Sequence, residues 1–251
     1  MNPRITDWSG RRVWLVGAST GIGAALAREL HGRGAHLALS ARDPGRLAAL
    51  GLAGALLVPC DATDSEALAA ARTIVRHALG GLDLVVYLAG DYVPMGADNV
   101  NLATAERVVA VNFLGAMRLA ATVLGDLAPG SGIAFVASVA GYRGLPRALC
   151  YGPGKAALIH FAECLHLDLA PRGIGVWVIN PGFVATRLTA RNDFAMPALL
   201  APESAARAMV EGFAGGRFEI HFPKRFTRVL KVLALLPYRW YFSLVRRFTG
   251  G

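Results

Sequence analysis

Short apolar runs alternate along this chain with longer stretches in which apolar residues recur every three or four positions. Val13–Val16 precedes Ala24–Leu30, Leu37–Leu39 precedes Arg46–Leu50, Leu56–Val58 precedes Ser65–Ala78, and Leu84–Leu88 precedes Leu102–Leu124. Ile133–Val136 then leads to Ala156–Leu169, and Val176–Ile179 runs into a loop. Continuous apolar runs suit strands buried on both faces, and the amphipathic stretches suit helices laid across them. This alternation predicts an α/β protein with a doubly wound parallel sheet in a single domain. Gly-Arg-Gly at Gly32–Gly34 and Pro-Arg-Gly at Pro171–Gly173 read as helix stops. Phe218–Phe222 alternates like a last strand, closed by Pro223. The expected division is a domain over 1–223 and a C-terminal extension over 224–251.

Composition sharpens one part of this picture. The chain has 251 residues, enough for a sizeable core, and 54% of them are apolar. Its mean hydropathy is +0.43. A sheet covered on both faces explains such a value, and so does a membrane-contacting segment. No run of eighteen uncharged apolar residues occurs, so no membrane span is expected. Met1–Gly10 contains Arg4 and Asp7 and lacks an apolar run, unlike a signal peptide. Cys60, Cys150 and Cys164 show neither a paired framework nor metal-ligand spacing, which fits a reduced, cytoplasmic setting. No metal is expected.

The formal net charge of +9 is concentrated at the C-terminal end. Arg217, Lys224, Arg225, Arg228, Lys231, Arg239, Arg246 and Arg247 stand there against one acid, Glu219. On a helix over Lys224–Leu236, Phe226, Val229, Leu230, Leu233 and Leu236 share one face, with Lys224, Arg225, Arg228 and Lys231 opposite. Tyr238-Arg239-Trp240-Tyr241-Phe242 follows Pro237, then Leu244, Val245 and Arg246-Arg247. Basic charge beside an apolar stripe with Trp and Tyr suits a helix lying in an anionic membrane interface, peripheral on the inner face. An oligomerisation or lid helix packed on the protein itself is the alternative. Nucleic acid is not the expected partner, because the bases are interleaved with large aliphatics.

Two motifs carry chemistry. Strand residues Arg12–Val16 meet Gly17-Ala18-Ser19-Thr20-Gly21-Ile22-Gly23. Gly17 permits a sharp turn, Gly21 lets backbone approach a pyrophosphate, and Gly23 lets the helix pack on the strand. The helix N-terminus offers N–H groups to phosphate oxygens. Gly-rich turns are nevertheless common in a chain with 29 glycines. Further on, Tyr151 and Lys155 stand four apart, thirteen residues after Ser138. One helical turn brings the lysine onto the tyrosine's face, where its charge would favour tyrosinate. Tyr151 could then move a proton at a carbonyl while Ser138 polarises the oxygen. Tyr-x-x-x-Lys also occurs by chance on helix surfaces, and a lone Ser or Asn in a loop is commonly a cap or turn residue.

The spacing G-x-x-x-G-x-G resembles the short-chain dehydrogenase/reductase family, and the resemblance runs from about Arg11 to Pro223. Cys60-Asp61, Leu88-Ala89-Gly90, Asn112, Ser138, Tyr151-x-x-x-Lys155 and Asn180-Pro181-Gly182-Phe183-Val184-Ala185-Thr186 fall where that family has motifs. It implies a Rossmann-type fold and an NAD(P)-dependent oxidoreductase interconverting a carbonyl and an alcohol. It implies a catalytic set of Asn112, Ser138, Tyr151 and Lys155, with Lys155 on the nicotinamide ribose and Asn112 anchoring a water. Cofactor contacts are implied for Gly17, Ser19, Thr20, Gly21, Ile22, Gly23, Ala89, Gly90, Pro181, Gly182, Val184 and Thr186. Asp61 would bond the adenine amino group, with Ala62 contributing backbone; Asp61 or Asp64 could equally serve as a helix cap.

NAD-preferring relatives tend to carry an acid after the second strand, where this chain has Ala41-Arg42. Arg42 offers a planar fork to a 2′-phosphate, so NADP is expected and NAD is the less favoured cofactor. Asp43 could instead neutralise Arg42. The chain departs from the family pattern at Val16, at Tyr87-Leu88 in place of two asparagines, and at Pro153-Gly154. Relatives usually form homodimers or homotetramers through the helices near Leu102–Leu124 and Tyr151–Leu169. Arg187–Pro202 carries Leu188, Phe194, Met196, Pro197, Leu199 and Leu200, consistent with a lid over a lipophilic substrate or with simple packing. Arg187 and Arg191 could meet an anionic head group or face water. The alternatives to an enzyme are a non-catalytic NADP-binding regulator and a membrane-surface scaffold.

Overall fold

The computed structural model describes residues 1–191 and 196–249. Strand β1 (Arg12–Val16) is followed by α1 (Gly21–Gly32), β2 (His36–Ser40), α2 (Pro44–Ala48), β3 (Leu56–Leu57), α3 (Ser65–Leu79) and β4 (Leu84–Tyr87). A long helix comes next, α4 (Leu102–Val109) continuing through a π turn at Ala110–Leu114 into α5 (Gly115–Val123). Then come β5 (Gly132–Val136), α6 (Tyr151–Leu169), β6 (Gly175–Pro181), α7 (Pro202–Gly215), β7 (Glu219–Phe222), α8 (Lys224–Ala234) and α9 (Tyr238–Thr249).

The seven strands are all parallel, in the order β3-β2-β1-β4-β5-β6-β7. Alternate side chains explain why the strands read as unbroken apolar runs. Val13, Leu15, Leu84, Val86, Trp177 and Ile179 pack on one layer with α1 and α7. Trp14, Val16, Val85, Phe135, Val176 and Val178 pack on the other with α3, α5 and α6. The chain winds in opposite directions from β1 and from β4, so a crevice opens beyond their carboxyl ends at Val16 and Tyr87.

The helical stretch Leu102–Asp126 is long and apolar enough to cross a membrane by length and composition alone, although Glu106, Arg107 and Arg118 interrupt it and no uncharged run of eighteen occurs. One face is built into the core: Val108, Asn112, Ala116, Leu119, Ala120 and Val123 are buried. The π turn in its middle has a counterpart on β4. The Tyr87 hydroxyl donates to Val111 O at 2.6 Å, and it occupies the space above Gly115, where a Cβ would lie 2.3 Å from it. The departure at Tyr87 is therefore matched by a helix widened to receive a phenol.

The C-terminal segment packs on the carboxyl edge of the sheet. Arg143, in the loop after β5, donates to Ala234 O at 2.8 Å and Leu236 O at 2.5 Å, closing the end of α8. Its guanidinium also lies 4.7 Å from the Tyr238 ring centroid and 4.2 Å from that of Tyr241. The docked face of α8 keeps most of the apolar face that the sequence predicts, with Phe226, Leu230, Leu233 and Leu236 partly buried, but it is not wholly apolar. Thr227 is its one fully buried residue, Lys231 turns inward, and Val229 is exposed. Glu219 is the reason: its carboxylate accepts from Tyr142 at 2.5 Å and from Asn180 at 2.8 Å, and it draws in Lys231 as its cation.

Candidate active site

A cleft of about 520 Å³ lies at the switch point between β1 and β4. Its near wall is the turn after β1. Gly17 has φ +97°, and a Cβ there would lie 2.4 Å from Ala89 N, so only glycine lets the two strand ends meet. At Gly23 a Cβ would strike Gly17 O at 2.2 Å, which fixes how closely α1 approaches β1. Thr20, the N-cap of α1, makes no side-chain bond to the first turn. The helix therefore presents uncapped N–H groups along a wall formed by Ser19, Thr20, Gly21, Ile22 and Gly23. A cradle without side chains at a helix N-terminus fits a dinucleotide pyrophosphate.

The adenosine end of such a ligand has matching walls. Arg42 is exposed at the cleft margin, and Asp43 pairs with Arg46 at 3.0 Å while capping α2 through Arg46 N. Asp61 lines the opposite side with Ala62. Its Oδ1 accepts from Thr63 N and Thr63 Oγ1, both at 2.8 Å, whereas Asp64 caps α3.

At the other end, α6 opens at Tyr151 and carries Lys155 one turn on. Pro153 sits in the first turn, where its missing N–H is not needed. Gly141 lets the Ser138 loop lie against α6, since a Cβ there would come within 2.8 Å of Lys155 C. Ser138 Oγ accepts from Ala140 N at 3.1 Å and lines the cleft beside Tyr151. Lys155 Nζ donates to Val136 O at 2.9 Å. Asn112 is buried in the π turn, its amide donating to Asp91 O at 2.6 Å and Val108 O at 2.9 Å. Gly90 lies between: a Cβ there would be 3.3 Å from Asn112 Oδ1 and 3.9 Å from Lys155 Nζ. Ala89, Gly90, Pro181, Gly182, Val184 and Thr186 complete the wall, so every site residue expected from sequence lies around this cleft.

Burial governs the titration of the pair. Desolvation raises the Tyr151 pKa to about 12, against the lowering influence of Ser138, and lowers that of Lys155 to about 7. The expectation of a charge on Lys155 that favours tyrosinate is thus opposed by the apolar surroundings of both groups. The sequence reading missed the wall residues Asp91 and Arg107 and the neighbour of Tyr151, Tyr92. Tyr92 packs edge-on against Tyr151 with ring centroids 5.0 Å apart, and Asp91 on the cleft wall pairs with Arg107. For Asp91 and Tyr92 the signal was position alone, directly after Leu88-Ala89-Gly90. Cys150 is buried at the N-cap of α6, as a packed side chain would be. The expectation for Phe194 lies outside the described residues, as does that for the side chain of Arg191.

The family model of short chain dehydrogenases matches residues 11–195. The chain belongs to the short-chain dehydrogenase/reductase family. An uncharacterized oxidoreductase of Myxococcus xanthus is 32% identical over 97% of this dehydrogenase-family chain and 99% of its own length. The ketoacyl reductase HetN of Nostoc is 29% identical over 86% of this chain and 79% of its own. Among solved structures, a dehydrogenase/reductase from Sinorhizobium meliloti superposes with TM-score 0.76 at 27% identity, covering 86% of this chain and 95% of that one. A short chain dehydrogenase from Burkholderia cenocepacia in complex with NADP gives 0.76 at 25% identity, covering 86% and 96%. The parallel sheet and its flanking helices are thus those of a family of oxidoreductases.

Proposed function

We propose that this chain is an NADPH-dependent reductase of a lipophilic ketone or aldehyde, able to run in reverse on the alcohol. The observation that carries the reading is the convergence of Ser138, Tyr151 and Lys155 at one end of a cleft whose other wall is the uncapped N-terminus of α1. NADP would be held by that N-terminus, by Asp61 and Ala62 at the base, and by Arg42 at the 2′-phosphate. When bound, the cofactor supplies the hydride.

The chain's own groups manage the proton. Tyr151, with its pKa raised, is neutral at physiological pH and donates its proton to the developing alkoxide. Ser138 holds the same oxygen and favours the negative charge that grows on it. Lys155 would hold the nicotinamide ribose and, when protonated, stabilise the phenolate left behind. Asn112 braces the Gly90–Asp91 backbone beside Lys155 and links it to water. A NADP complex and a ketoacyl reductase among the similar proteins support the cofactor and the carbonyl class. Leu188, on the cleft wall, favours an apolar substrate. Leu102, Leu114 and Met117 are exposed on the long helix, consistent with a homodimer or homotetramer.

The test is NADPH oxidation against ketones of increasing chain length, with Tyr151→Phe alongside. Turnover should rise with chain length and fall by at least about a hundred-fold in the variant. Unchanged turnover in Tyr151→Phe would remove Tyr151 as the proton donor. NADPH binding without turnover on any ketone would favour a regulator.

A further inference from the structure

The walls of the cleft leave one feature unexplained: a rigid, basic and apolar platform beside its mouth. Because all strands are parallel, α8 starts at the same carboxyl edge on which the cleft opens. The platform is tied to cleft-forming loops on two sides. Arg143 clasps the end of α8 from the loop that begins at Ser138, and Tyr241 donates to Gly144 O of that loop at 2.7 Å. The Phe226 ring lies tilted against that of Phe183, centroids 5.7 Å apart, and Phe183 sits between the cleft residues Gly182 and Val184.

The outer side of this platform is exposed, with the Tyr238 ring also reached by Arg143. Leu235 is 85% exposed, Phe248 76% and Trp240 66%, and Val229, Val232, Tyr238 and Phe242 are exposed with them. On α8 the inward side is taken by Thr227 and by Lys231 on Glu219, while Val229, Val232 and Leu235 look outward. Arg225, Arg228, Arg239, Arg246 and Arg247 share the exposed surface, and no acid follows Glu219 in the chain. Large apolar groups, aromatics with polar edges and an uncompensated positive charge together match an anionic bilayer: acyl chains for the apolar groups, the interface for Trp240 and Tyr238, and phosphate for the arginines.

We infer that α8 and α9 form a preassembled docking platform for an anionic lipid bilayer, which holds the cleft mouth at the membrane so that a bilayer-resident carbonyl compound can enter. The delivery of substrate rests on the proposed reductase reading; the docking does not. Both helices are already folded and clasped, so docking needs no coil-to-helix transition and only the exposed face changes its surroundings.

The experiment is co-sedimentation of the full chain with vesicles of phosphatidylcholine alone or with roughly a third phosphatidylglycerol, with tryptophan emission recorded in parallel. Trp8, Trp14 and Trp177 are buried, so any blue shift on binding reports Trp240. Binding should be confined to the anionic vesicles, be lost in high salt, and shift the emission in the wild type but not in Trp240→Phe. Arg246→Glu/Arg247→Glu should lower the partition coefficient by at least about thirty-fold. Leu235→Ser/Phe248→Ser should lower it as well. None of these positions touches the cleft, so turnover of a short, soluble ketone should be unchanged in every variant.

Absence of vesicle binding would overturn the inference. So would a wild-type dimer that Leu235→Ser/Phe248→Ser splits in sedimentation velocity, because a second copy would then own this face. Turnover without vesicle binding would remove the platform and leave the reductase. Vesicle binding without turnover would do the reverse.

Discussion

An amine buried as deeply as that of Lys155, which donates to Val136 O, gives up its proton far more readily than in water. Its pKa is lowered to about 7 by desolvation, against about 10.4 in an unfolded chain. Between these values the unfolded state binds the extra proton, so stability rises with pH. Below about pH 7 both states carry the charge, and the cost of burying it is felt in full. Tyr151 acts with the opposite sign, but only above its unfolded pKa of about 10, because its folded pKa is raised to about 12. Without dinucleotide, chemical denaturation should therefore show stability rising from pH 7 to 9.5 in the wild type and a flatter profile in Lys155→Met. Parallel profiles for the two proteins would mean that Lys155 stays charged through this range.

At the scale of elements, the joint between β4 and the long helix is set by a volume and a hydrogen bond. Gly115→Ala would place a Cβ 2.3 Å from Tyr87 Oη and 2.8 Å from Ala62 O, and should cost about 1–3 kcal/mol in urea unfolding. Tyr87→Phe removes the oxygen and leaves Val111 O without its donor, at a similar cost. Combined, the two changes should cost clearly less than their sum, because the phenylalanine vacates the space that the alanine needs; strict additivity would count against the joint. This pairing marks the boundary of what the chain discloses by itself. The order of strands and helices is legible because each buried strand and amphipathic helix carries its own period. The cleft residues from Gly17 to Thr186 are legible because local motifs at strand ends place them. Tyr87 is visible in the sequence only as a departure, since its partner Gly115 lies across the fold. The Arg143 clasp on Leu236 O and the pairing of Lys231 with Glu219 were hidden for the same reason. Each depends on a contact between distant segments that no local pattern encodes.

For the molecule as a whole, the ends of β1 to β6 lead into one cleft, so a dinucleotide spanning it would join α1, the β2–α2 turn and the β4 and β6 loops. A ligand that binds only the assembled edge stabilises the whole fold by mass action, by about 2.7 kcal/mol at a hundred times its Kd. For a chain of this size that corresponds to a rise in Tm of roughly 5–10 °C. NADPH and NADH share every contact except those at the 2′-phosphate, so their difference isolates the group that meets it. Ala41 brings no carboxylate there, Arg46 is paired with Asp43, and Arg42 is exposed at the cleft margin. At equal concentrations NADPH should therefore raise Tm more than NADH in the wild type. In Arg42→Ala the NADPH shift should shrink to that of NADH, while the NADH shift stays unchanged. A difference that survives Arg42→Ala would assign the phosphate to Arg46, and equal shifts in the wild type would end the case for NADP.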